Sequence, residues 1–143
     1  MLHLEEGKWV FIRMDDGEDF YEVLYDVIKK EGIVSGLIFG GAGMLREFEI
    51  GWYNDQTKSY EKEKIETPHE LISLNGNISL KDGEPFAHIH TALGGPDKKL
   101  VGGHLFSGIV NNTVEMALLK FENIHLEREE REGFRPIVGK IKR

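Results

Sequence analysis

Residues 85–106, PFAHIHTALGGPDKKLVGGHLF, carry three of the chain's six histidines and a GGPDK connector between two alternating segments. Gly, Pro and Asp set between half-apolar runs predict a tight turn, so 86–93 and 99–109 read as the arms of an antiparallel hairpin. With the turn centred near Pro96, partners across the hairpin have numbers summing to about 192. That register sets His88 opposite His104 and His90 opposite Gly102. It gathers Ala87, Ile89, Leu93, Val101 and Leu105 on one face and the three histidines on the other. A slip of one residue would carry His104 to the apolar side, because strand side chains alternate.

Three imidazoles on one face of a hairpin point to a metal. His88 and His90 are about 6.6 Å apart along a strand, and directly opposed residues have Cβ atoms roughly 4.5–5.5 Å apart. Rings on such a triangle can meet one ion at the usual Zn–N distance of about 2.0–2.1 Å. Three protein nitrogens leave one tetrahedral position open, as in catalytic zinc sites, and that position would take a small-molecule ligand. Gly102 and Gly103 read as the removal of side chains that would crowd the ion. The chain has no cysteine, so a transition-metal site must be built from His, Asp, Glu and water. The expected ion is zinc or another divalent transition metal. The alternative is that the histidines bond to backbone or to one another and face solvent.

Glu115 is the candidate acid/base. It shares strand parity with Thr113 and Ala117, opposite to Val114, Met116 and Leu118. If its strand lies beside 99–109, it reaches the histidines as a ligand, as a partner to one, or as a general base. Equally, it is a carboxylate on a solvated face. Asn75 and Asn77 either point into the same cavity or mark a bulge. FGGAG (39–43) lacks the Lys-Ser/Thr of a phosphate loop and reads as a bulge. His3, His69 and His125 stand alone and are expected at the surface or as caps.

Working outward, KWVFIRMD (8–15) alternates and predicts a first strand. DDGEDFYEVLYDVIKKEG (15–32) places Phe20, Leu24, Val27 and Ile28 at helical spacing, with acids at its start, lysines in its last turn and Gly32 beyond. IVSGLIFGGAG (33–43) predicts a buried strand with a bulge. MLREFEIGWY (44–53) predicts a second, with Phe48, Ile50 and Trp52 on one face. SYEKEKIE (59–66) reads as a polar edge strand after the turn NDQTK. ELISLNGNISL (70–80) puts Ile72, Leu74, Ile78 and Leu80 on one side. Residues 107–127 continue as a long strand, and 128–143 carry little periodicity, which predicts a partly mobile tail. The expectation is one compact α+β domain over 1–143, its core about 8–125, with a mostly antiparallel curved sheet and one main amphipathic helix.

The charge balance is −7, against the basic face that phosphate neutralisation demands of a free-standing nucleic-acid binder. No apolar run approaches the ~20 residues of a membrane span, and MLHLEEGKWVF is not signal-like. The expected location is cytoplasmic, with no membrane partner.

The stretch ELISLNGNISLKDGEPFAHIHTALGGPDKKLVGGHLFSGIVNNTVEMAL resembles the core of the plants-and-prokaryotes conserved (PPC) domain. GEDFYEVLYDVIKKEGIVSGLIFGGAGMLREFEIGWYN resembles the same domain's helix and glycine-containing strand. The likeness spans roughly 8–125. It implies an α+β domain assembling as a homotrimer, with His88, His90 and His104 at the family's histidine positions and Glu115 at its acidic one. Prokaryotic members are thought to bind metal there. In plants the domain accompanies AT-hook segments, whose Arg-Gly-Arg-Pro core enters the minor groove. This sequence offers only GFRP at 133–136 and nowhere Arg-Gly-Arg. The implied function is therefore metal binding by a homotrimer. The alternatives are a metal-dependent enzyme using Glu115 and a DNA-associated oligomer leaning on the basic GKIKR.

Overall fold

A computed structural model describes residues 1–141. In chain order the elements are β1 (Leu2–Glu6), β2 (Trp9–Asp15), α1 (Phe20–Lys30), β3 (Gly36–Asn54), β4 (Ser59–Ile65), β5 (His69–Lys81), β6 (Glu84–Gly94), β7 (Leu100–Lys120), β8 (Ile124–Arg128) and β9 (Ile137–Ile141). All belong to one sheet apart from α1, and among the described residues only the single bridge between Leu80 of β5 and Glu127 of β8 is parallel. The α+β expectation holds. β3 pairs with β5, β5 with β6, β6 with β7 and β7 with β3, so the sheet curls round on itself. Among the described residues no helix is long and apolar enough to cross a membrane.

Helix α1 forms where its caps and stripe predict. The Asp19 carboxylate accepts the Glu22 N–H at 3.0 Å, satisfying one free donor of the first turn. Glu22 and the pair Lys29 and Lys30 suit the dipole at their respective ends. Phe20, Leu24, Val27 and Ile28 are all buried against the curved sheet, whose inner face supplies Ile12, Met14, Leu74, Ile78, Ile89 and Leu118.

The two strands predicted over 33–53 are one. β3 runs through register shifts between Ile38 and Gly41, Gly43 and Met44, and Arg46 and Glu49, so FGGAG bends the strand without ending it. Phe48 and Ile50 are buried as expected, but Trp52 is 66% exposed, where β3 pairs with the polar edge strand β4. In β5 a shift between Leu71 and Ser73 turns Ile72 outward, and Leu71 takes its place in the core. His69 is not a surface residue. It is buried, with Nδ1 2.7 Å from the Thr67 carbonyl and its ring edge-on to Phe48.

β7 ends at Lys120, short of the long strand expected to 127. Ile124–Arg128 forms β8 and makes a hairpin with β9 from the expected tail, Arg128 pairing with Ile137 and Ile124 with Ile141. It is held by polar contacts that hydropathy does not register: Leu126 N–H to Ser35 Oγ at 2.8 Å and Arg128 Nε to Ser79 Oγ at 3.0 Å. Lys142 and Arg143, the end of that predicted tail and of GKIKR, lie outside the described residues.

Candidate metal centre

The hairpin register differs by two residues from the expectation. His90 pairs with His104, Thr91 with Gly103 and Ala92 with Gly102. The cause is the turn: Lys98 N–H bonds to the Gly95 carbonyl at 2.9 Å, which makes Pro96 its second residue, and Lys98 follows with φ 63. The loop is thus centred past Pro96. A shift of two keeps every side chain on its face, so the three histidines still converge. Gly103 serves close backbone approach, since a Cβ there would lie 2.5 Å from the Gly51 carbonyl oxygen. On the other side of β6, a Cβ at Gly76 would lie 2.0 Å from the His88 carbonyl oxygen, so only glycine lets β5 pack here.

His88, His90 and His104 each offer a ring nitrogen within 4.8 Å of the other two. The Nε2 atoms of His88 and His90 are 3.1 Å apart, close to the roughly 3.3 Å between two nitrogens on one tetrahedral zinc ion. Partial burial pushes the pKa of both His88 and His104 down to about 4, helped at His88 by repulsion from His104, His90 and Arg128 and at His104 by repulsion from His90, Lys62, Arg128 and Lys81. Neutral imidazole is the ligating form. The donor set therefore fits a divalent ion such as zinc.

Arg128 closes one side. Its Nη2 donates to Asn77 Oδ1 at 2.9 Å and lies 3.3 Å from His88 Nδ1. A guanidinium carries only donors, so the neutral His88 ring accepts at Nδ1 and keeps its proton on Nε2, facing His90. Asn77 pairs with His88 and Asn75 with His90 across β5–β6. Asn77 thus reaches the site through Arg128. On the far side the Tyr60 hydroxyl lies 3.5 Å from His104 Nδ1, and the Phe106 ring centroid is 4.4 Å from that of His104.

Glu115 does not join this group. It is exposed at the other end of β7, opposite Arg13 and Ala42, whereas His104 sits opposite His90 and Gly51. Its face is the solvated one expected, opposite to the buried Val114, Met116 and Leu118, but its segment is the continuation of the His104 strand and not a neighbour of it. Arg128, Tyr60 and Phe106 are the site residues that spacing alone missed. Arg128 carried one signal: it shares parity with the half-buried Leu126 in IHLER.

The centre opens into a cleft of about 810 Å³ floored by α1, through Tyr21 and Tyr25, and walled by Phe86, Phe106 and Phe134. Tyr21 donates to the Leu105 carbonyl, and the Tyr25 hydroxyl accepts the Ala87 N–H at 3.0 Å, tying the helix to both histidine strands.

The Plants and Prokaryotes Conserved (PCC) domain model matches residues 1–122. The chain is similar to a PPC protein of Pyrococcus horikoshii, with TM-score 0.86 and 34% identity over 95% of this chain and 94% of that one. It is also similar to a metal-containing protein of Archaeoglobus fulgidus, with TM-score 0.84 and 35% identity over 94% and 95%. A Bacteroides thetaiotaomicron protein described as a candidate DNA-binding protein shares the fold, with TM-score 0.88 and 24% identity over 99% and 98%. No curated protein matches the chain.

Proposed function

The chain belongs to the Plants and Prokaryotes Conserved (PCC) domain family, and on that premise we propose that it binds a divalent transition metal ion, zinc, at His88, His90 and His104. The observation that carries this reading is the convergence of three ring nitrogens within 4.8 Å on one face of the β6–β7 hairpin. The metal-containing relative from Archaeoglobus fulgidus supports it. A bound ion of this kind supplies Lewis acidity and one open position for a ligand.

The surrounding residues prepare that position. His88 presents Nε2 to an ion only with its ring proton on Nδ1, where it no longer accepts from Arg128. An N–H of Arg128 is then released toward the cleft. No carboxylate lines the cleft among the described residues, so catalysis with Glu115 as acid/base is not part of this reading. Elemental analysis of protein purified without a histidine tag tests the proposal. The expected content is near one ion per chain, and fewer than about a tenth of an ion would contradict it.

The proposed assembly is a homotrimer. The number three rests on the family resemblance; self-association is supported by an apolar outer sheet face on which Leu4 pairs with Phe11 and the Trp9 ring stands 5.6 Å from Phe39, all four exposed. Light scattering should give three times the chain mass and, for Phe11→Lys, a shift toward monomer. DNA binding, which the Bacteroides relative's description suggests, would have to work against a net charge of −7. It predicts an affinity falling steeply with salt.

A further inference from the structure

The family match ends at residue 122, yet residues beyond that point complete the cleft. The β8–β9 hairpin adds Arg128, Phe134 and Arg135 to its wall. Four tyrosines and three phenylalanines line the cleft, together with Lys81 and these two arginines, and no aspartate or glutamate does so among the described residues. In a chain of net charge −7, that is a local reversal of sign.

The positive charge there is not all neutralised from within. Arg135 is paired with Asp82 at 2.7 Å and Glu130 at 3.3 Å. Arg128 is different, because every partner is neutral: Ser79 Oγ, the Arg135 carbonyl, Asn77 Oδ1 and His88 Nδ1. Lys81 Nζ lies 4.5 Å from the Phe86 centroid, and Lys62 Nζ lies 4.2 Å from that of Phe106 at the rim. Among the described residues none of Arg128, Lys81 and Lys62 forms an ion pair. A half-buried guanidinium without a counter-ion carries a desolvation cost. An anion seated against Arg128 would offset that cost, whereas a neutral group there would not.

The walls specify the rest of the molecule. Aromatic rings on several sides favour a flat apolar body that stacks or packs edge-on, and the cleft is of small-molecule size. We propose that the cleft binds a small organic anion: a carboxylate or phosphate on a flat apolar ring, the acid group directed to Arg128 and the ring held between the aromatic walls. This deepens the metal reading, and rests on it only in that an oxygen of the acid would occupy the open metal position.

The test is calorimetric titration of untagged protein, metal-free and zinc-loaded, with 1-naphthoate, 1-naphthyl phosphate and the neutral 1-naphthamide. At least one acid should bind saturably and about tenfold or more tighter than the amide, and the tighter acid identifies the headgroup. Arg128→Gln should weaken acid binding by about tenfold and amide binding by much less, while Arg128→Lys, which keeps the charge, should fall between Arg128→Gln and the unaltered protein. Lys81→Gln, which leaves the β8 contacts intact, should weaken it in the same direction. Amide binding as tight as that of both acids would overturn the proposal, as would acid affinity indifferent to both Arg128→Gln and Lys81→Gln. Acid binding by protein that takes up no zinc would keep this inference and remove the metal reading. Zinc uptake with no acid binding would do the reverse.

Discussion

On one face of the β6–β7 hairpin, Ala87, Ile89, Leu93 and Leu105 are buried in the core, while on the other His88, His90 and His104 stand half-open around a cleft. The residues alternate along the same strands, so backbone and register are shared and only the surroundings differ. The inner face is completed by α1 and the neighbouring strands, and its stabilisation is apolar area removed from water. The outer face is completed by Arg128 from β8, Tyr60 from β4 and the aromatic walls. Stability is concentrated on the first face and chemistry on the second.

Breaking the inner face should give the largest effect. Ile89→Ala removes a fully buried side chain and should cost about 2–5 kcal/mol in urea unfolding. His90→Ala, exposed on the other face, should cost no more than about 0.5 kcal/mol in the metal-free protein. Equal losses would erase the distinction between the faces.

Acid should act more gently, and through the open face. His88 and His104 titrate near pH 4 in the folded chain, against about 6.5 when unfolded. Between those values the unfolded chain binds more protons, so this contribution to stability is complete above about pH 6.5 and lost as pH falls through 6.5 toward 4. The metal-free protein should show a falling Tm over that window. The double variant His88→Asn, His104→Asn should flatten the slope, and an unchanged slope would place the acid sensitivity elsewhere.

The smallest effect belongs to Glu115. Glu115→Gln should leave the metal content unchanged and shift stability by no more than about 0.5 kcal/mol. A loss of metal on this substitution would mean that Glu115 reaches the centre in the assembled protein.

Much of the fold is legible in the chain. The stripe of Phe20, Leu24, Val27 and Ile28 announces the helix, and alternation around His88, His90 and His104 places them on one face. That placement survives a register error of two because side-chain direction has period two. Irregular positions are harder to read. The bulges in β3 and β5 move Ile72 out and join two predicted strands. Glu115, whose parity away from Val114, Met116 and Leu118 reads correctly, misses the centre because its segment continues the His104 strand instead of lying beside it. The β8–β9 hairpin escapes because Ser35, Ser79 and Asn77 hold it, and such hydrogen bonds leave no hydropathy period.

The chemistry proposed for the open face turns on His88, His90 and His104 sharing one ion. An anomalous difference map from crystals of untagged protein, collected on both sides of the zinc absorption edge, would reveal that ion. The expected result is a peak bonded to one ring nitrogen of each of the three histidines. A map with no peak there, or with its metal peak elsewhere on the chain, would contradict the assignment.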